Sequence, residues 1–186
     1  QMGPPQGVIL ITLSDNLKNI AERIANFIPG ERLEVGEVAS LWYIARNKLI
    51  GLATLEIYLS QAEDVSLRTL IDTGIKKIVI PHIEKIQQLL HREGIEEPNV
   101  HRRSNLSLIG RDTGTAKFIQ DDEIAISIRE TIRLSLLQEY FGMVNSTRSD
   151  IMDLCTLIYM EDYGAYRSLI ELAKKRGWLI LSPAMP

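Results

Sequence analysis

Cysteine is almost absent from this chain. Cys155 stands alone, which excludes an internal disulfide framework, cannot make a zinc site by itself, and suits a reducing compartment. Histidine is scarce as well, with three in 186 residues, and none stands three positions after a glutamate. The Glu-x-x-His doublet that carries metal in a carboxylate-bridged helical bundle is therefore missing. No apolar run approaches the roughly 18 residues needed to cross a membrane. The stretch at residues 7–13 is short, lacks a basic flank and is followed by no A-x-A pattern, so neither a secretory leader nor a span is expected. Charge of one sign is lacking too: the formal net charge is −3 and the pI near 5.7. Such a balance gives no general pull toward nucleic acid or anionic membrane, and neither is expected as a partner. A cytoplasmic protein is the expectation.

Hydrophobic residues make up 45% of the chain, enough for a real core, and they recur at helical spacing in four segments. The first, residues 35–62, carries Val38, Trp42, Ala45, Leu49, Leu52 and Leu59 on one stripe. The second, capped by Asp64 and closed by Gly94, runs Leu67, Ile71, Ile75, Ile78, His82, Ile86 and Leu89, with a kink expected at Pro81. The third opens at Asp121, Asp122 and Glu123, which complement a helix N-terminus, and has apolar residues over a broad arc. The fourth opens near Ser146 and Thr147, where Thr147 and Asp150 resemble a capping box, and ends at Lys174, Lys175, Arg176 and Gly177.

Residues 95–120 have neither helical nor strand periodicity. A connection that long has a natural use if the second and third helices lie parallel, because the chain must then travel back along the whole bundle. That crossover marks ferritin-like topology rather than an up-down-up-down bundle. The expected architecture is all-α: a ferritin-like four-helix bundle at residues 33–186, preceded by an accessory arm at residues 1–32. The arm holds a short helix from Ser14 or Asp15 to Phe27, and residues 8–13 read equally as strand or helix. Trp178 to Leu181 is also strand-like.

Several quoted stretches resemble a known family. They are the run from Leu33 to Trp42, Tyr58-Leu59, Ala62-Glu63-Asp64, His82-Ile83, Glu93-Gly94-Ile95 with Pro98, the run from Thr147 to Ile151, and Gly177-Trp178-Leu179 with Pro183. Together they resemble the ferritin-like, spore-coat-F-like proteins of endospore-forming bacteria. Members usually open the first helix with Ser or Thr where this chain has Glu34. The resemblance implies a ferritin-like bundle, a sporulation connection and no established reaction.

Polar residues interrupt the apolar stripes at Glu56, His82 and Asp162, which are expected to be buried. Counting down each helix from the first turn puts Glu56, Asp72, Glu130 and Asp162 within a slab about 6 Å thick, where a ferritin-like metal pair would sit. Without histidine partners, these four are a candidate oxygen-ligand set for iron, manganese or zinc, set against buried acids tied to neighbouring side chains. The same count puts His82 some 15 Å away from that level. Cys155 and Glu139 are its expected layer-mates, a set that could in principle activate the thiol or hold zinc.

Two functions are carried forward. The first is a non-catalytic structural or interaction protein without cofactor, spore-associated, that forms a homo-oligomer, most simply a dimer, through the broad apolar face of its third helix. The second is a degenerate carboxylate-bundle metalloprotein. A small-ligand pocket lined by His82 and the tyrosines is a third reading, with its ligand unknown.

Overall fold

Each of the four helical rods begins where a backbone N–H finds a carboxylate. The computed structural model describes residues 32–99 and 117–180, with Lys18 and Ile20 of the arm. All regular structure among the described residues is helical: α1 (Val35–Gln61), α2 (Val65–Gly74), a π-helical turn (Ile75–Val79), α3 (Ile80–Arg92), α4 (Asp121–Asn145) and α5 (Ser149–Arg176). α2, the π turn and α3 form one continuous rod. The expected arm helix, the 8–13 segment and most of the crossover lie outside the described residues. Residues 178–180 are not a strand; Trp178 lies against the core, its N–H on the Ala173 carbonyl at 2.9 Å. Gly177, at φ 72°, supplies the left-handed turn that makes this possible.

The poles fix the topology. At one end, Asp121 of α4 accepts the N–H groups of Glu63 and Asp64 at 3.0 and 2.8 Å, while Arg176 of α5 reaches Asp64 at 2.7 Å. At the other, Glu37 of α1 accepts the N–H groups of Thr147 and Arg148 at 2.8 and 2.9 Å, and Arg148 reaches Glu93 at 2.9 Å. α3 therefore ends at the pole opposite the start of α4, and the connection must span the bundle. α1 and α5 each pack on α4 and on the composite rod, so these two helices stand diagonally opposed.

Local chemistry differs from expectation at three caps. Asp121 caps the α1/α2 turn rather than its own helix, whose Gln120 N–H is taken by Glu123 at 2.8 Å. Thr147 and Asp150 form no capping box; α5 starts two residues later, and Asp150 binds Arg148. Glu34 precedes α1 with its N–H on the Glu37 carboxylate at 2.9 Å, the returning half of a capping box.

At Pro81, where a kink is expected, the rod carries a wide turn. The proline has no N–H for the Lys77 carbonyl and its ring crowds that oxygen, so the preceding turn opens and Ile80 donates to Ile75, five residues back.

The apolar interior falls into two cores. One gathers Leu41, Ile44, Ile86, Leu90, Leu154 and Ile158; the other gathers Leu52, Leu67, Ile71, Ile124, Ile128 and Leu169. Between them lies a layer of charged side chains.

Candidate functional site

Each rod contributes one residue to that layer: Lys48 from α1, His82 from α3, Glu139 from α4 and Asp162 from α5. All four are buried, His82 completely. Lys48 is the hub. Its ammonium pairs with Asp162 and lies 2.9 Å from Glu139 Oε1, a contact close enough for an ion pair but not aligned as a hydrogen bond. His82 Nε2 bonds Glu161 at 2.6 Å, and its Nδ1 stands 3.5 Å from Asp162 Oδ1 without a hydrogen bond.

These contacts set the protonation states. Burial alone would pull the Lys48 amine down, but the charges of Asp162 and Glu139 outweigh it and hold the amine above its ordinary value. Burial, with Lys48 adding to it, lowers His82 against the opposing pull of Glu161 and Asp162, so the imidazole is neutral at neutral pH. The hydrogen bond from His82 holds Glu161 below the usual carboxylate value. A neutral imidazole donating from Nε2 to an ionised Glu161 satisfies both directions. Burial pushes Glu139 up to about 7, with Asp162 adding to the rise and Lys48 opposing it.

Sequence-derived site residues are mostly dispersed. Glu56 is half-buried rather than buried, because the inward face of α1 centres on Leu41, Ala45, Lys48 and Leu52, and its next inward residue is Leu55. Asp72 lies on the outside of α2, paired with Lys76 at 2.8 Å. Glu130 pairs with Arg129 and Arg133, both at 2.8 Å. Of the four carboxylates, Asp162 alone enters the central layer. His82, placed far from it by counting, is its neighbour, since α5 runs to Arg176, a full 14 residues beyond Asp162, and the π turn shortens the rise per residue of the second rod.

The fold raises the question of a carboxylate-bridged metal pair, and the residues present do not fit one. The space between Asp162 and Glu139 is taken by the Lys48 ammonium, which neutralises both and repels a cation. Among the described residues, no group of three His, Cys, Asp or Glu side chains stands close enough to hold a metal. The Cys155 thiol is not activated either: burial, then the Glu139 charge, pushes it up to about 12.

Lys48 and Glu161 escaped sequence reasoning. Lysine is by type a surface residue, and the spacing of Lys48 from Leu41, Ala45 and Leu52 is the signal that places it inward. Glu161 gave no signal beyond adjacency to Asp162.

Beside this layer opens a cleft of about 850 Å³ lined from all four rods. Lys48, Glu161 and Asp162 are at its charged end; Leu55, Tyr58, Ile71, Ile78 and Ile132 are in its walls.

Residues 24–186 match the family described as "Protein of unknown function (DUF3231)". The chain belongs to the DUF3231 family. Among solved structures it is similar to a "putative spore coat protein" from Bacillus halodurans C-125, with 25% identity, a TM-score of 0.72, and coverage of 84% of this chain and 97% of that one. A second similar structure is a two-domain protein from Anabaena variabilis ATCC 29413 with DJ-1/ThiJ/PfpI-like and ferritin-like domains. It is 21% identical at TM-score 0.61, with 81% of this chain and 39% of that one covered. That likeness shows the fold alone: this DUF3231 chain is an all-α, ferritin-like bundle. No curated protein sequence matches it. Among the described residues, no helix is long and apolar enough to cross a membrane.

Proposed function

We propose that this DUF3231 chain is a non-catalytic structural protein of the bacterial cytoplasm, spore-associated, that assembles as a homodimer through the joined outer faces of α1 and α4. One observation carries the reading. Leu134, Leu137, Phe141 and Val144 are each more than half exposed, at steps of three, four and three residues. That is the spacing by which one helix seats against another.

Across the α1/α4 seam, Asn47 bonds Gln138 at 2.6 Å. Tyr43 and Ile50 lie one turn either side of Asn47, and Leu134 and Phe141 one turn either side of Gln138, so the exposed apolar residues form one surface. A patch of this kind on a single chain marks an interaction site, and a second copy supplies the matching apolar stripe. The similarity to the Bacillus halodurans protein supports the spore connection.

A lysine-filled interior supports function without a metal, and a protonated, buried thiol with a neutral, hydrogen-bonded histidine supports a non-catalytic role. Size-exclusion chromatography with light scattering tests the assembly. A dimer is expected for the native chain, with Leu137→Glu giving a folded monomer. A native chain that is monomeric at tens of micromolar, or a Leu137→Glu dimer, overturns the proposal. Elemental analysis of protein purified without chelator is expected to find no stoichiometric metal.

A further inference from the structure

The cleft beside the charged layer is kept open by the rods themselves. Its volume of about 850 Å³ lies in the range of small-molecule sites, about 300–1,000 Å³. Gly51 of α1, Gly74 of α2 and Gly164 of α5 line it, each within a helical rod. Such a glycine disfavours its helix relative to alanine, and a neighbour that leaves no room for a methyl usually explains it. Here a Cβ at any of the three would meet nothing within 4 Å. Close packing does not require these glycines; their effect is to leave the space unfilled.

The π turn belongs to the same wall. Ile78 and Val79 of that turn line the cleft, and Gly74 stands immediately before it. A π turn gives up regular helical hydrogen bonding, and such turns concentrate at functional sites. Three of the four rods thus depart from the most stable helix at one cavity.

The chemistry of the lining decides what fits there. The hydroxyls of Thr54, Thr69, Thr131 and Ser168 each donate to a carbonyl of their own helix. Tyr58 is bonded to Ser127 and Asn47 to Gln138, both at 2.6 Å. Among the described lining residues the charges are balanced, Lys48 and Lys77 against Glu161 and Asp162. Lys48 is closed on Asp162, and Glu161 accepts from His82 at 2.6 Å. An entering ammonium would therefore meet Lys48 beside the two carboxylates, and an entering carboxylate would meet the carboxylates beside Lys48. Either ion would lose hydration against a wall of no net charge.

We propose that this cleft is a binding site for an uncharged, predominantly apolar small molecule, seated among Leu55, Ile71, Ile78 and Ile132 and selected against ammonium and carboxylate head groups alike. Burial of apolar surface favours the body of such a ligand, and nothing in the wall offsets the lost hydration of an ion. None of Tyr43, Ile50, Leu134, Leu137, Phe141 and Val144 of the outer α1/α4 face lines the cleft, so the site stands or falls apart from the dimer.

Fluorescence titration of the full chain with N-phenyl-1-naphthylamine, an uncharged apolar dye, tests this, followed by displacement with 4-phenylbutanol, 4-phenylbutylamine and 4-phenylbutyrate at pH 7.5. One dye per chain with blue-shifted emission is expected. The alcohol should displace it at concentrations at least tenfold lower than either the amine or the acid. Gly51→Leu and Gly74→Leu, which fill the cleft from different rods, should each weaken dye binding at least tenfold while circular dichroism shows a folded helical protein. Leu137→Glu, on the outer face, should leave dye affinity unchanged. Displacement by the amine or the acid as effective as by the alcohol, no dye binding to the native chain, or unchanged affinity in both leucine variants overturns the assignment. So does loss of dye binding in Leu137→Glu.

Discussion

Lys48 and Asp162, 114 positions apart, form an ion pair across the bundle diagonal, joining two helices that otherwise scarcely touch. The pair lies between the two apolar cores, and one protein cation does the neutralising. Burying charge is costly, so the pair is held less for net stability than because losing one partner is worse.

Lys48→Met removes the cation and strands Asp162 and Glu139 in the interior. A loss of roughly 3–5 kcal/mol at pH 7 is expected in urea denaturation. Adding Asp162→Asn and Glu139→Gln to that variant should recover most of it, since no buried anion then remains.

Glu139 makes stability fall with rising pH. Its folded-state value of about 7 lies above the ordinary 4.5, so the folded chain binds the extra proton between those limits. The contribution is fully present below about 4.5 and is lost as pH rises through 7, on the order of 2–3 kcal/mol. Glu139→Gln should flatten that part of the pH–stability curve and exceed the native protein in stability at pH 8, as read by the urea midpoint.

Glu37 works with the opposite sign. Burial would raise its carboxyl, but N–H groups of Arg148, Glu34 and Thr147 outweigh that and lower it. Its contribution is present above pH 4.5 and is lost as pH falls through the lowered value. Glu37→Ala unties α1 from the α4/α5 turn and should cost about 2–4 kcal/mol at pH 7. At pH 3 the difference between variant and native midpoints should shrink.

Gly142 and Gly51 should answer alanine in opposite directions. A Cβ at Gly142 would stand 2.7 Å from Cys155 Sγ, whereas one at Gly51 meets nothing. Gly142→Ala is expected to destabilise by about 1–3 kcal/mol. Gly51→Ala should stabilise by roughly 0.5–1 kcal/mol. Thermal melts of the two variants give the comparison directly.

The rods were legible because Leu67, Ile71, His82, Ile86 and Leu89, or Ile151, Cys155, Ile158 and Asp162, keep helical spacing whatever their polarity. The crossover was legible because residues 95–120 have no period. The central site was legible only in part. A stripe drawn from apolar residues skips Lys48, whose aliphatic stem belongs to the core while its ammonium finds two acids from distant segments. Pairings such as Glu37 with Arg148 or Asp121 with Glu63 are set by how the rods meet at the poles, which local pattern does not encode. Counting residues at a constant rise also failed through the second rod, where the winding changes midway.

That change of winding has a consequence for how this chain tolerates length variation. Ile75–Val79 absorbs extra backbone, so positions below it are out of phase with those above. Removing a single residue there would restore uniform winding and leave the lower half of the rod facing as it does, because the wide turn already takes up that residue. A deletion in the regular winding on either side would instead swing everything beyond it by about 100°, parting the imidazole from the Glu161 carboxylate. Ile75–Val79 is thus the stretch of the second rod that can lose one codon and still close both cores.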